Sequence, residues 1–165
     1  MIRRPPRSTH CISSAASDVY KRQPIAEGFN AMIKSVEIAF VSCWREKDLS
    51  VVVEYAKVPQ IDGKHVIIID PMLATGHSLY AVYEALRPYG KAKSWKVLAV
   101  IASPVGLKEI SKVFPKGTEV FICALDDEVM KKGFIGPGLN SHGYIVPGLG
   151  DAGDRAYGEP VKSRP

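Results

Sequence analysis

The sequence predicts an α/β fold, a mostly parallel sheet flanked by helices with a β-hairpin, and three observations carry that expectation. HVIIID at 65–70 is a short unbroken apolar run of the kind found in a strand covered on both faces. From there SLYAVYEALRPYG, KVLAVIASP, VGLKEISKVFP and TEVFICALD alternate helix and strand patterns, which predicts a right-handed βαβαβ unit. EIAFVSCW and VVVEYAKV are rich in β-branched and aromatic residues and are parted by the polar REKDLS, which reads as a hairpin.

The elements follow in order. MIRRPPRSTHCISSAASDVYKRQ, residues 1–23, has no apolar period and is biased to Arg, Pro and Ser, so it reads as a solvated arm that does not pack. It also resembles translated sequencing-adapter read-through, which would make it an assembly scar. The folded domain is expected over residues 24–165. Behind Pro24, which is placed to open a helix, Ile25, Phe29, Met32, Ile33 and Val36 recur at helical spacing. After the hairpin and the central strand, Leu79, Val82, Tyr83 and Leu86 share one helical face, and Pro88 and Gly90 end that helix. GFIGPGLN at 133–140 is echoed by GYIVPGLG at 143–150, and the Gly and Pro content places both in loops, the first as an insertion.

Composition narrows the function classes. The chain has 165 residues, enough for one globular domain, with 46% hydrophobic and 24% charged residues, which argues against disordered and membrane classes. The net charge of +5 is concentrated in the arm, where Arg3, Arg4, Arg7, Lys21 and Arg22 face only Asp18. The remaining 17 basic and 16 acidic residues nearly cancel. That argues against a nucleic-acid partner. Cys11, Cys43 and Cys123 form no CxxC pair and indicate neither a disulfide framework nor a zinc cluster. No apolar run is long enough to span a bilayer. A cytoplasmic protein without membrane contact is expected.

The chemistry starts at Asp70, which ends the central strand and is followed by Pro71, Met72, Leu73, Ala74, Thr75, Gly76, His77 and Ser78 before a helix. In an open α/β sheet, ligands sit beyond the carboxyl ends of the strands, where a tight loop and a helix N-terminus offer backbone N–H groups to an anion. Thr75 and Ser78 add hydroxyls, and Asp70 suits sugar hydroxyls or a hydrated magnesium ion. Equally, the residues alone allow Ser78 to be a helix N-cap and Asp70 an ordinary strand-end residue.

DPMLATGHS after VIII resembles the phosphoribosyl-diphosphate loop of type I phosphoribosyltransferases in its uracil-specific form, which carries Asp-Pro at the start of the loop. GYIVPGLGDAGDRAYG resembles the uracil-binding segment of the same family. The resemblance implies a type I phosphoribosyltransferase-like fold. It implies that uracil and 5-phosphoribosyl 1-diphosphate (PRPP) react to give UMP and diphosphate, with Mg²⁺ bridging the leaving group to the loop and no nucleophilic side chain. Residues 70–78 would bind PRPP. Ile145, Gly150, Asp151 and Ala152 would contact uracil, Tyr144 would line the same pocket, and Asp151 would also approach the phosphoribosyl substrate. Arg45, between the hairpin strands, corresponds to a family arginine that contacts the diphosphate. The Gly-rich bend suits uracil, whose acceptor, donor, acceptor edge can be read by backbone groups alone.

Gly148, Gly150 and Gly153 also spell GxGxxG, but a dinucleotide fold needs a further helix, strand and acid downstream, and only 12 residues follow Gly153. Three departures from the family pattern stand out. An N-terminal Arg-Ala-Gly segment with another diphosphate-binding arginine is missing. His77 replaces a glycine where positive φ is expected. The 133–142 insertion precedes the base-binding loop. Family members associate as homo-oligomers. The rival expectation is a non-catalytic, nucleotide-sensing regulator on the same fold.

Overall fold

The computed structural model describes residues 10–14, 19–33, 36–45, 50–126, 136–141 and 143–148. Seven strands form one sheet: β1 (His10–Ser14), β2 (Val36–Arg45), β3 (Val51–Lys57), β4 (His65–Ile69), β5 (Met72–Leu73), β6 (Ser94–Ala102) and β7 (Glu119–Leu125). The helices are α1 (Val19–Met32), α2 (His77–Leu86) and α3 (Pro104–Val113). The strand order is β3-β2-β1-β4-β6, with β5 and β7 both paired to β6. All pairings are parallel except β2 with β3, the expected hairpin.

β4 is interior, between β1 and β6, and Val66, Ile67, Ile68 and Ile69 are all buried, as an unbroken apolar run requires. β5 continues the line of β4. β4 pairs with β6 from Ser94 to Leu98, and β5 resumes at Ile101 and Ala102 after a break at Asp70 and Pro71. On one face α2 and α3 cover the main core, where Leu79, Val82 and Leu86 of α2 meet Val66, Ile68, Trp95 and Val97. On the other face Ile25, Ala26 and Phe29 of α1 pack over Ile67 and Ile69.

Two expectations are corrected here. The first concerns residues 1–23, read as an arm that does not pack: His10–Ser14 pairs with both β2 and β4. A parallel ladder is made of backbone N–H and C=O groups and needs no apolar period. A strand between β2 and β4 satisfies two edges that would otherwise stand unpaired inside the sheet. The second concerns the helix expected to open at Pro24. It begins at Val19, so Pro24 lies inside α1, where it costs one backbone hydrogen bond. Met32, counted on the apolar face, is 85% exposed.

This topology positions the site. The chain steps from β1 outward to β2 on one side and from β4 outward to β6 and β7 on the other. The direction reverses between β1 and β4, and a crevice opens at the carboxyl end of the sheet at such a point. Asp70 and the loop to α2 border it.

Candidate functional site

Asp70 is buried, and its backbone N–H donates to the Leu98 carbonyl at 2.9 Å. Its Oδ1 accepts from the Met72 N–H at 3.3 Å, a local turn that redirects the chain at the strand end. The Pro71 carbonyl accepts from the N–H groups of both Val100 and Ile101, each at 3.2 Å. The loop is therefore anchored to β6 at its first residues.

Ser103, wholly buried after β6, anchors the next part. Its N–H donates to the Leu73 carbonyl at 2.9 Å, and its hydroxyl donates to the Ala74 carbonyl at 2.6 Å. The same hydroxyl accepts from the Gly106 N–H at 3.0 Å as the N-cap of α3. A Cβ at Gly106 would lie 2.5 Å from the Ala74 carbonyl oxygen, so only glycine lets α3 approach this loop so closely.

Thr75 is buried, and its Oγ1 accepts from the His77 N–H at 3.5 Å. Gly76, with φ 83°, is the N-cap of α2 and has no side chain with which to cap it. This settles two readings. Ser78 is not the N-cap but the second residue of the helix. The positive φ falls on Gly76, while His77 is the first helical residue and exposed. Apart from the long contact of the His77 N–H with Thr75 Oγ1, no side chain caps the first turn of α2, and uncapped first-turn N–H groups are the arrangement that receives an anion.

The second motif meets the first. Leu139 bridges to Gly136 and to Ile145, and Leu139 and Ile145 are buried with Ile101 against Met72, Ala74 and Val105. The bend is held by the Val146 N–H to the Gly138 carbonyl at 2.9 Å and by the Gly148 N–H to Asp126 Oδ2 at 2.9 Å. Asp126 follows β7 at the same edge of the sheet, and its N–H donates to the Ala102 carbonyl. Residues 136–141 and 143–148 contain no helix or extended strand, as their Gly and Pro content predicts.

Not every expected residue joins this cluster. The Ile145 side chain is in the core. Tyr144 is 54% exposed. Arg45 ends β2, paired with Val51 at the turn end of the hairpin. Gly150, Asp151 and Ala152 lie outside the described residues, as do residues 133–135 and 142 of the 133–142 insertion. Ser103, Gly106 and Asp126 were not singled out from the sequence. A serine before a proline at a helix start marks a cap, but nothing in the sequence says that the cap also holds a carbonyl 29 residues away.

The sequence model of the uracil phosphoribosyltransferase family matches residues 23–143. The chain belongs to the uracil phosphoribosyltransferase family. The uracil phosphoribosyltransferase of Thermococcus kodakarensis is 40% identical over 142 residues, covering 84% of this chain and 57% of that protein. That of Pyrococcus furiosus is 41% identical, covering 84% and 56%. The chain thus spans a little over half the length of these relatives. Among solved structures, the AQ2163 protein from Aquifex aeolicus superimposes with a TM-score of 0.76 at 30% identity, covering 94% of this chain and 68% of that one. A hypoxanthine phosphoribosyltransferase from Staphylococcus aureus gives a TM-score of 0.51 at 16% identity, covering 76% and 65%, and shares the fold. The phosphoribosyltransferase fold expected from the two motifs is the one observed.

Among the described residues no cluster of three or more His, Cys, Asp or Glu side chains could hold a metal by itself, and no helix is long and apolar enough to cross a membrane.

Proposed function

We propose that this chain performs uracil phosphoribosyl transfer, in which N1 of uracil displaces diphosphate from C1 of PRPP to give UMP. The observation that carries the reading is the packing of Ile145, together with Leu139 of the insertion, against Met72 and Ala74, which sets the start of one motif of the family beside the other. A ligand spanning them would touch both.

Residues 70–78 are assigned to PRPP, with the 5-phosphate at the first turn of α2 and Asp70 beside the ribose hydroxyls. Arg45 is assigned to the diphosphate, and Tyr144, Ile145, Gly150, Asp151 and Ala152 to uracil, Asp151 also reaching PRPP. All belong to one domain assigned to residues 24–165. As the C1–O bond breaks, positive character grows on the ribose and negative charge on the leaving group. Fixed loop amides and Arg45 stabilise that charge without rearranging. Holding the base edge and C1 in line supplies the rest.

Mg²⁺ suits this donor set because it is commonly held by one or two carboxylates and substrate phosphates instead of a full protein cage. Asp70 is the carboxylate assigned to it, and the ion when bound would neutralise the departing diphosphate. We place the protein in the cytoplasm as a homo-oligomer with small-molecule substrates and no nucleic-acid or membrane partner.

The test incubates the chain with Mg²⁺, PRPP and labelled uracil, alone and fused to the remaining length of the Thermococcus kodakarensis relative. Labelled UMP that requires PRPP and is lost in Asp151→Ala is the expected result. Absence of product from both forms, with PRPP still bound, would point instead to a nucleotide-sensing regulator.

A further inference from the structure

Asn140 holds the start of the Gly-rich bend at Tyr144. Its backbone N–H donates to the Tyr144 carbonyl at 3.0 Å, and its Oδ1 accepts from the Tyr144 N–H at 3.0 Å. Its own carbonyl accepts from the Gly143 N–H at 3.0 Å, in a turn that Gly143 closes with φ 75°. The N–H and C=O of Tyr144 are thus both taken by one residue, while the tyrosine side chain is exposed. Asn140 ends GFIGPGLN and Tyr144 is the second residue of GYIVPGLG, so the first of the two related stretches fastens the second.

The consequence falls on Ile145. Leu139 and Ile145 form an antiparallel bridge, made by the Asn140 N–H on the Tyr144 carbonyl and by the Val146 N–H on the Gly138 carbonyl. Those bonds flank the pair, and in such a pair each residue turns its own N–H and C=O away from the other strand. The Leu139 N–H goes to the Gly136 carbonyl at 3.0 Å, and among the described residues no backbone carbonyl accepts from the Ile145 N–H.

A trans peptide is a rigid plane whose C=O and N–H point in opposite directions. The Tyr144 carbonyl and the Ile145 N–H belong to one such plane, so pinning the carbonyl on Asn140 aims the N–H away from Leu139. The Oδ1 bond to the Tyr144 N–H restrains rotation of that plane about Tyr144. An N–H aimed this way suits a carbonyl oxygen, and uracil carries two on its ring.

We propose that Asn140 is a positioning residue for the base: by holding Tyr144 at both its N–H and its C=O, it directs the Ile145 N–H at a carbonyl oxygen of uracil. This role rests on the assignment of Ile145 to uracil made above and adds the side chain that sets the direction of the donor. Asn140 is half-buried and Tyr144 exposed, so water can take up a Tyr144 N–H released from Oδ1. Loss of the side chain is therefore felt in base binding and not in stability.

The test compares the full chain with Asn140→Ala, Asn140→Asp and Asn140→Gln in equilibrium dialysis against labelled uracil and labelled PRPP, in thermal melts and in rates of UMP formation. Asn140→Ala is expected to weaken uracil binding and raise the KM for uracil about tenfold, with PRPP affinity and kcat within about twofold and an unchanged melting temperature. Asn140→Asp, whose carboxylate still accepts from the Tyr144 N–H, recovers uracil binding to within about threefold, and Asn140→Gln, whose extra methylene displaces the acceptor, does not. The preference for uracil over 2-thiouracil or 4-thiouracil, whichever the parent rejects more strongly, shrinks in Asn140→Ala, because sulfur is the weaker acceptor. Should Asn140→Ala melt early, Asn140→Gln against Asn140→Asp carries the comparison. Unchanged uracil binding in Asn140→Ala, an aspartate variant no better than alanine, or a loss shared equally by PRPP overturns this role and leaves uracil assigned to the bend. A parent chain that binds no uracil and forms no UMP overturns that assignment, and this role with it.

Discussion

The Ser103 hydroxyl donates to the Ala74 carbonyl at 2.6 Å while it caps α3 by accepting from the Gly106 N–H. One buried side chain thus fixes the start of a helix and the middle of the 70–78 loop. Replacing it with alanine removes the cap and leaves a buried carbonyl without that donor. A lost cap costs about 1 kcal/mol and an unsatisfied buried group about 1–3 kcal/mol. Ser103→Ala should therefore lower stability by roughly 2–4 kcal/mol in urea denaturation and raise the KM for PRPP. Ser103→Thr, which keeps the hydroxyl, should recover most of the stability. An alanine variant as stable as the parent would show that the bond to Ala74 contributes nothing.

Gly106 sets how near α3 comes to the same carbonyl. In Gly106→Ala the new Cβ would sit 2.5 Å from the Ala74 oxygen and 2.9 Å from both the Leu73 carbonyl oxygen and its Cγ. Two of these are backbone atoms, so the loop or the helix must move. Overpacking of this kind costs about 1–3 kcal/mol. The melting temperature is expected to fall by several degrees, and PRPP affinity should fall with it, because the displaced segment is the loop itself. Calorimetry and PRPP titration check the pair, and unchanged affinity beside a lowered melting temperature would separate loop position from binding.

The loop histidine separates two backbone readings. Gly76 has φ 83° and His77 is helical, so the glycine that the conformation needs is already present one residue earlier. Gly76→Ala should lose about 1 kcal/mol or more, since a Cβ is disfavoured at that φ. His77→Gly relieves no strain and should lose a few tenths to about 1 kcal/mol through its poorer helix propensity. If His77→Gly instead stabilised the protein, the positive φ would belong to residue 77 after all. Paired thermal melts decide it.

How much could be read in advance depended on which force built each part. HVIII and the α2 face with Leu79, Val82 and Leu86 were legible because burial imposes a period or an unbroken apolar run, and the hairpin because β-branched and aromatic residues flank a polar turn. His10–Ser14 was not, because its place rests on backbone pairing with β2 and β4, which leaves no mark on side-chain order. The site divides the same way. DPMLATGHS could be placed at a strand end before a helix, and its anchoring to β6 then followed in the structure through Asp70, Pro71 and Ser103. Long-range single bonds, such as Asp126 to Gly148 across 22 residues, had no local signature to read.

Asp126 is where that missing signature matters most. It follows β7, and its Oδ2 accepts from the Gly148 N–H at 2.9 Å, which ties the Gly-rich bend to the carboxyl edge of the sheet. A hydrogen bond to a charged acceptor contributes about 1.5–3 kcal/mol. The bend, not the 70–78 loop, loses it in Asp126→Ala, because the loop is held separately by Ser103 and the Pro71 carbonyl. The expected kinetic signature is asymmetric: KM for uracil rises on the order of tenfold, the equivalent of about 1.4 kcal/mol, while KM for PRPP stays within about twofold. Asp126→Asn, whose amide oxygen still accepts, should fall between. Equal increases in both KM values would mean that Asp126 supports the whole edge of the sheet and does not position the bend alone.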